Sequence, residues 1–141
     1  MEENRYVFLE HTADAKFVAF GQTLEQAFAN SALAVASLMW DWTNIEKRIE
    51  YPVEISGRDI EQLLVGFLEE VLFLLDTQGF LLGWVEEIKI KKNQDFFLKA
   101  VFKGDSIQEK YSTFGDVKAV TYNEMKIIKN HEFSIQVVVD I

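Results

Sequence analysis

Four consecutive residues near the N-terminus, His11-Thr12-Ala13-Asp14, bring an imidazole and a carboxylate together between two short apolar runs. A His beside an Asp can serve as a base and its orienter, or as a pair of metal ligands. The plainer alternative is a turn in which Asp14 accepts hydrogen bonds from nearby backbone N–H groups. No nucleophile stands beside them, so nothing in the sequence specifies a Ser-His-Asp arrangement. A second acidic feature is Asp140-Ile141, at the far end of the sequence. If that end is docked, the Asp140 side chain and the Ile141 carboxylate lie close together and need a cation or a cluster of donors. Oxygen donors alone suit a hard ion such as Ca²⁺ or Mg²⁺ better than zinc. The alternative is a terminus simply exposed to water. A third stretch, Asp116-Val117-Lys118-Ala119-Val120-Thr121-Tyr122, sets a lysine among small and apolar residues. Lys118 could answer an acidic cluster, although such lysines more often reach to solvent.

Several chemistries have no support. The sequence contains no G-x-x-x-x-G-K-[ST], G-x-G-x-x-G or H-E-x-x-H pattern, so the common nucleotide and zinc signatures are missing. Zero Cys removes disulfides, thiolate metal sites and a Cys nucleophile. A net charge of −9 argues against direct binding to nucleic acid, whose phosphates call for a Lys/Arg surface. It favours a cation or a basic protein partner. Lys89, Lys91 and Lys92 form a basic run, which as a strand is a solvated face or a protected sheet edge. The aromatics follow core spacing rather than forming a base-stacking platform. Neither a signal-peptide core nor a bilayer-length apolar run is evident, so the expected setting is soluble, intracellular and cytoplasmic.

The elements that position these residues follow from periodicity. The 141 residues are one domain's worth, 1–141, and 49% hydrophobic content with twelve Phe supplies ample core. Tyr6 to Leu9 and Lys16 to Phe20 read as two strands joined through the His-Thr-Ala-Asp turn. Thr23 with Gln26 has capping-box spacing, and apolar residues from Leu24 to Trp42 then follow a helical period. Ile49 to Ser56 alternates as a strand whose Pro52 belongs at a sheet edge. Ser56-Gly57-Arg58-Asp59 turns the chain into a second helix, Ile60 to Leu75, expected to be the more buried of the two. Gly79 suits a C′ position. Ile88 to Lys91 and Phe96 to Lys103 form a hairpin about Asn93-Gln94-Asp95, and Gly104 to Phe114 reads as a polar loop. Val117 to Tyr122 and Met125 to Ile128 are extended, with a weak turn between them. Asn130-His131 is a firmer turn, followed by a strand in which Phe133, Ile135, Val137 and Val139 alternate with Ser134, Gln136, Val138 and Asp140. No internal repeat is evident. Two helices among many strands cannot build a doubly wound sheet. The expected fold is α+β, a two-layer sandwich in which two amphipathic helices pack on one face of a mixed β-sheet.

Taken in order, His11-Thr12-Ala13-Asp14, Gly21 and Thr23-Leu24-Glu25-Gln26-Ala27-Phe28 resemble the N-terminal signature of the archease family. The leucine-rich helix from Asp59 to Leu75 resembles that family's central helix. Val117-Lys118-Ala119-Val120-Thr121-Tyr122 and Asp140-Ile141 resemble its C-terminal signature. The likeness spans nearly the whole chain, and the two end motifs are specific in combination. It implies a non-catalytic accessory protein of the RtcB-type tRNA-splicing ligase, an RNA ligase that uses Mn²⁺ and GTP. The implied role is to promote guanylylation of the ligase and its multiple turnover, touching tRNA through the ligase and no membrane. It further implies a calcium site, or one for another hard divalent cation, at Asp14, Asp140 and Ile141, with Lys118 the matching basic residue and His11 in support. Asn123 stands where the family usually has His, which puts an imidazole-dependent role there in doubt. A metal-dependent hydrolase built on His11, Asp14 and Asp140 is one competing expectation. A general helper of RNA-processing enzymes is another.

Overall fold

The fold is that of a computed structural model describing residues 5–10 and 13–141. Among these residues, strands β1 (Tyr6–Leu9), β2 (Asp14–Gly21), β6 (Ala119–Lys129) and β7 (Phe133–Asp140) form one antiparallel sheet in the order β1-β2-β7-β6. Strands β3 (Ile49–Gly57), β4 (Phe80–Asn93) and β5 (Asp95–Ser106) form another in the order β3-β5-β4. The α+β class and the two helices are as expected, and the strands divide into two antiparallel sheets. Helix α1 (Leu24–Ser37) touches β2 and β7 of the first sheet and β4 of the second. Helix α2 (Ile60–Gln78) touches β3, β4 and β5 and also reaches β6. The core lies where they meet: the Phe28 and Phe67 rings are 5.9 Å apart, and Phe67 meets Phe102 edge-on at 5.4 Å.

Helix α1, not α2, is the more buried helix, although both touch both sheets. Every residue from Ser31 to Ala36 is buried, whereas α2 leaves Glu61, Glu69, Phe73 and Asp76 exposed. The alanines at 27, 32, 34 and 36 let backbones approach closely, and the one polar side chain among these positions, Ser31, donates to the Ala27 carbonyl. Apolar periodicity alone could not reveal this, because alanine is neutral between core and surface. Helix α1 also stops at Ser37, short of the expected Trp42. Trp40 instead bridges to Thr113, and its buried indole N–H donates to the Leu82 carbonyl at 2.9 Å.

Both helices begin by the same device. Thr23 Oγ1 accepts from the Gln26 N–H, and Gln26 Oε1 accepts from the Gln22 N–H. Asp59 and Gln62 make the equivalent pair of bonds, the second reaching the Arg58 N–H. A glycine precedes each: a Cβ on Gly21 would lie 2.4 Å from the Ala27 nitrogen, and one on Gly57 would lie 2.7 Å from the Leu63 nitrogen. The strand–glycine–cap–helix junction is thus a local repeat, which the spacing of helix residues by itself did not reveal.

Elsewhere, Pro52 lies on edge strand β3 and Gly79 closes α2 at φ 61°, both as expected. Strand β4 begins at Phe80, eight residues before the expected start, and its first residues are too continuously buried to alternate. Strand β5 continues to Ser106, into the stretch expected to be loop. The two extended segments expected at 117–128 are one strand, β6, interrupted by an irregularity between Thr121 and Lys126. No helix among the described residues is long and apolar enough to cross a membrane.

Candidate functional site

Strand β2 alternates buried Ala15, Phe17 and Ala19 with half-buried Asp14, Lys16, Val18 and Phe20, so one face packs inward and Asp14 opens the outer row. Strand β7 is paired on both edges, with β2 and with β6, and this ties down the Asp140 end. The register sets Asp14 directly opposite Asp140. Directly opposed residues of an antiparallel pair have Cα atoms about 4.5–5.5 Å apart and side chains on the same face. The two carboxylates therefore emerge side by side from the outer face, although 126 positions separate them in sequence. Ala119 lies opposite Asp140 on the other edge of β7, and the Lys118 N–H donates to the Asp140 carbonyl at 2.8 Å.

Asp14, Asp140 and the backbone of Lys118 are thus brought together at one end of the sheet, with Ile141 next in the chain and about half exposed. The Lys118 side chain is exposed, and its structural tie to Asp140 is its amide. His11 and Thr12 lie outside the described residues. Among the described residues, no three His, Cys, Asp or Glu side chains gather at one point. A cation here would therefore draw on two aspartates and add main-chain or water oxygens. Such a donor set fits a hard divalent ion, which takes six to eight oxygens in flexible geometry when it is calcium.

Two residues that motif reading did not single out complete this face. Lys16 follows Asp14 in the outer row, flanked in register by Leu9 of β1 and Val138 of β7. Its Nζ lies 3.0 Å from Glu124 Oε1. Glu124 reaches it from the irregular stretch of β6, where its φ is 53°. The strand alternation after Asp14 signals Lys16, whereas no local pattern signals Glu124.

Other polar features lie apart from this end. A groove of about 1230 Å³ borders Gly21 at the opposite end of β2, lined in part by Arg5, Glu25, Trp84 and Glu132. Arg5 stacks there over the rings of Trp42 and Trp84. A second polar network is structural: buried Asp105 accepts from the Tyr111 hydroxyl at 2.7 Å and from the Ser106 N–H at 2.9 Å. The Tyr111 hydrogen bond holds the Asp105 carboxyl below its usual range against the opposing pull of burial, helped by Ser106, Arg48 and Lys110. Glu46, paired with Lys110 and Arg48, is lowered too, through those hydrogen bonds. This network fastens the segment after β5 to the stretch before β3.

Comparison with known proteins agrees with the arrangement as a whole. Residues 6–141 match the model of the Archease protein family (MTH1598/TM1083). A protein archease from Pyrococcus furiosus is 39% identical over 122 residues, covering 84% of each chain. One from Methanosarcina mazei is 38% identical over 141 residues, covering 97% of this chain and 96% of its own. The solution structure of Methanobacterium thermoautotrophicum protein 1598 superimposes with a TM-score of 0.83 at 34% identity, over 97% of this chain and 99% of that one.

Proposed function

Because this chain belongs to the archease family, we propose that it is a non-catalytic accessory protein of an RtcB-type tRNA-splicing ligase. In this role it promotes guanylylation of the ligase, the loading of GMP onto the ligase's active-site histidine, and sustains multiple turnover. The observation that carries the proposal is the opposition of Asp14 and Asp140 on adjacent strands. Sequence-distant carboxylates placed in register repel one another unless a cation or donor joins them. In the proposed site Asp14 and Asp140 bind a divalent cation, calcium or another hard ion, with a main-chain oxygen of Ile141. Such an ion supplies a fixed double positive charge with exchangeable oxygen ligands. The chain's own part is to hold both carboxylates on a paired, non-fraying strand end, with the Lys118 amide fixing the Asp140 backbone. The net charge of −9 favours encounter with a basic, RNA-binding partner, and complementary fields of this kind act mainly on association rate.

The test is the rate at which GTP guanylylates the ligase with wild-type protein, with Asp14→Ala and with no added protein. Wild type should accelerate the reaction, and Asp14→Ala should lose at least about tenfold of that effect, the scale of removing a ligand or its support. Equal rates with and without wild-type protein would contradict the proposal.

A further inference from the structure

We propose that the outer face of the β3-β5-β4 sheet binds a single-stranded nucleic acid, with phosphates held by Lys89, Lys91 and Lys99 and one base stacked on Phe97. The contact is made by this chain itself and depends on neither the cation site nor the ligase. In β5, Leu98, Ala100 and Phe102 are buried, Phe102 against Phe67 of α2, so the alternation turns Phe97 and Lys99 away from the helices. Register sets Lys99 directly opposite Lys89 of β4, and Phe97 directly opposite Lys91. All four residues are exposed and form a block two strands wide. Lys92, the remaining lysine of that run, is placed over the Phe96 ring at 5.4 Å. The hairpin that carries the block lies by the start of α1, where Glu25 accepts from the Ile90 N–H, and not by the Asp14 end of the first sheet.

Like charges directly opposed across a ladder destabilise the pair, and an anion between them relieves the repulsion. The protein supplies little relief of its own. Among the described residues no ion pair involves Lys89 or Lys91, and Lys99 meets Glu54 only at 3.9 Å, with side chains 77% and 74% exposed. Farther along the same face, by contrast, Lys103 is paired with Glu86. Strand β4 also bulges at this point, where residues 87 and 88 stand opposite the single residue Ala100 and Glu87 has a φ of 53°. Bulges re-aim side chains and recur beside functional sites. A hollow of about 460 Å³ opens there, lined in part by Pro52, Val101, Lys89 and Lys99, and also by Glu54 and Glu87. Edge protection accounts for lysines on β4, an edge strand, but not for Lys99 and a 45% exposed Phe97 on the central strand. Protein interfaces are depleted in lysine. Lysines that track a phosphate chain beside an aromatic ring that takes a base are the pattern of single-strand binding. The net charge of −9 excludes a broad surface of this kind and leaves a local one. Glu54 and Glu87 hold its affinity down, to a Kd on the order of 10⁻⁴ M.

The experiment is an NMR titration of the full ¹⁵N-labelled chain with oligouridylate, oligodeoxyuridylate and oligoglutamate of equal length, with a thermal melt of each variant. Both oligonucleotides should shift the amides of Lys89, Lys91, Phe97 and Lys99, and the tighter of the two tells an RNA ligand from a DNA one. The slope of log Kd against log salt should be near 2, from three phosphates at about 0.7 each. Lys89→Glu and Lys99→Glu should each weaken binding by at least about fivefold, and Phe97→Ala by a similar factor through lost stacking. Should Phe97→Ala melt early, Phe97→Leu serves instead, because it keeps apolar bulk without a ring. Lys126→Glu makes the same change of net charge on the other sheet and should leave Kd within about twofold of wild type. Equal weakening by Lys126→Glu overturns the proposal, since overall charge alone would then govern binding. So do shifts confined to other residues. Oligoglutamate bound as tightly as the oligonucleotides, or an unchanged Kd in the Phe97 variants, overturns it in favour of an acidic protein partner.

Discussion

Two aspartates of this chain sit under opposite conditions. Asp105 is buried and saturated with donors from Tyr111, Ser106 and Gln108. Asp14 is half-buried at a sheet end, with another carboxylate directly across the ladder. The first arrangement stabilises the folded chain, and the second is the one at which a cation is proposed. Because the Asp105 carboxyl is held below its usual range, its contribution is present above the unfolded value near pH 3.9 and is lost as pH falls through the folded value. Asp105→Asn should therefore lower the melting temperature at pH 7 by roughly 5 °C. Thermal melts across pH should show that gap closing below about pH 4; a gap constant down to pH 2 would contradict the assignment. At this scale the sequence was informative where residue type and position coincide. Asp14 and Asp140 can be picked out because they stand at the margins of apolar alternation, whereas their joining in one site is implied by the family resemblance alone and their register comes from the structure. Glu124 could not, since its importance depends on a bulge created by long-range pairing. His11 lies outside the described residues and is untested.

The elements repeat a lesson about small residues. Helices α1 and α2 start from the same glycine-plus-cap junction, and at Gly21 and Gly57 the strand end lies against the helix's first turn. A methyl group there meets backbone nitrogen, which cannot rotate away. Gly21→Ala and Gly57→Ala should each cost about 2 kcal/mol or more, measured by urea unfolding, whereas Thr23→Ala should cost about 1 kcal/mol. Equal small losses in all three would mean that the strand–helix approach is looser than the geometry requires. Period-two and helical patterns located most elements because each has one wet face. They missed residues 80–87, where β4 is buried almost continuously, and misjudged α1, whose alanines hide its burial. Helix α1 ended early for a tertiary reason, the docking of Trp40 onto Leu82.

At the scale of the molecule, two antiparallel sheets gripping a pair of helices leave one sheet end where β2 starts, β6 starts and β7 stops. Asp14 of the N-terminal motif and Asp140 of the C-terminal one meet there. The fold supplies a paired platform, and the proposed ion would draw the two chain ends together as a single charged feature on an acidic surface. The direct test is a crystal structure grown with Ca²⁺ and phased for its anomalous signal. The account predicts one calcium peak between Asp14 and Asp140, with an oxygen of each carboxylate at about 2.3–2.6 Å. Carboxylates turned apart with no peak between them, or calcium bound only elsewhere, would contradict it.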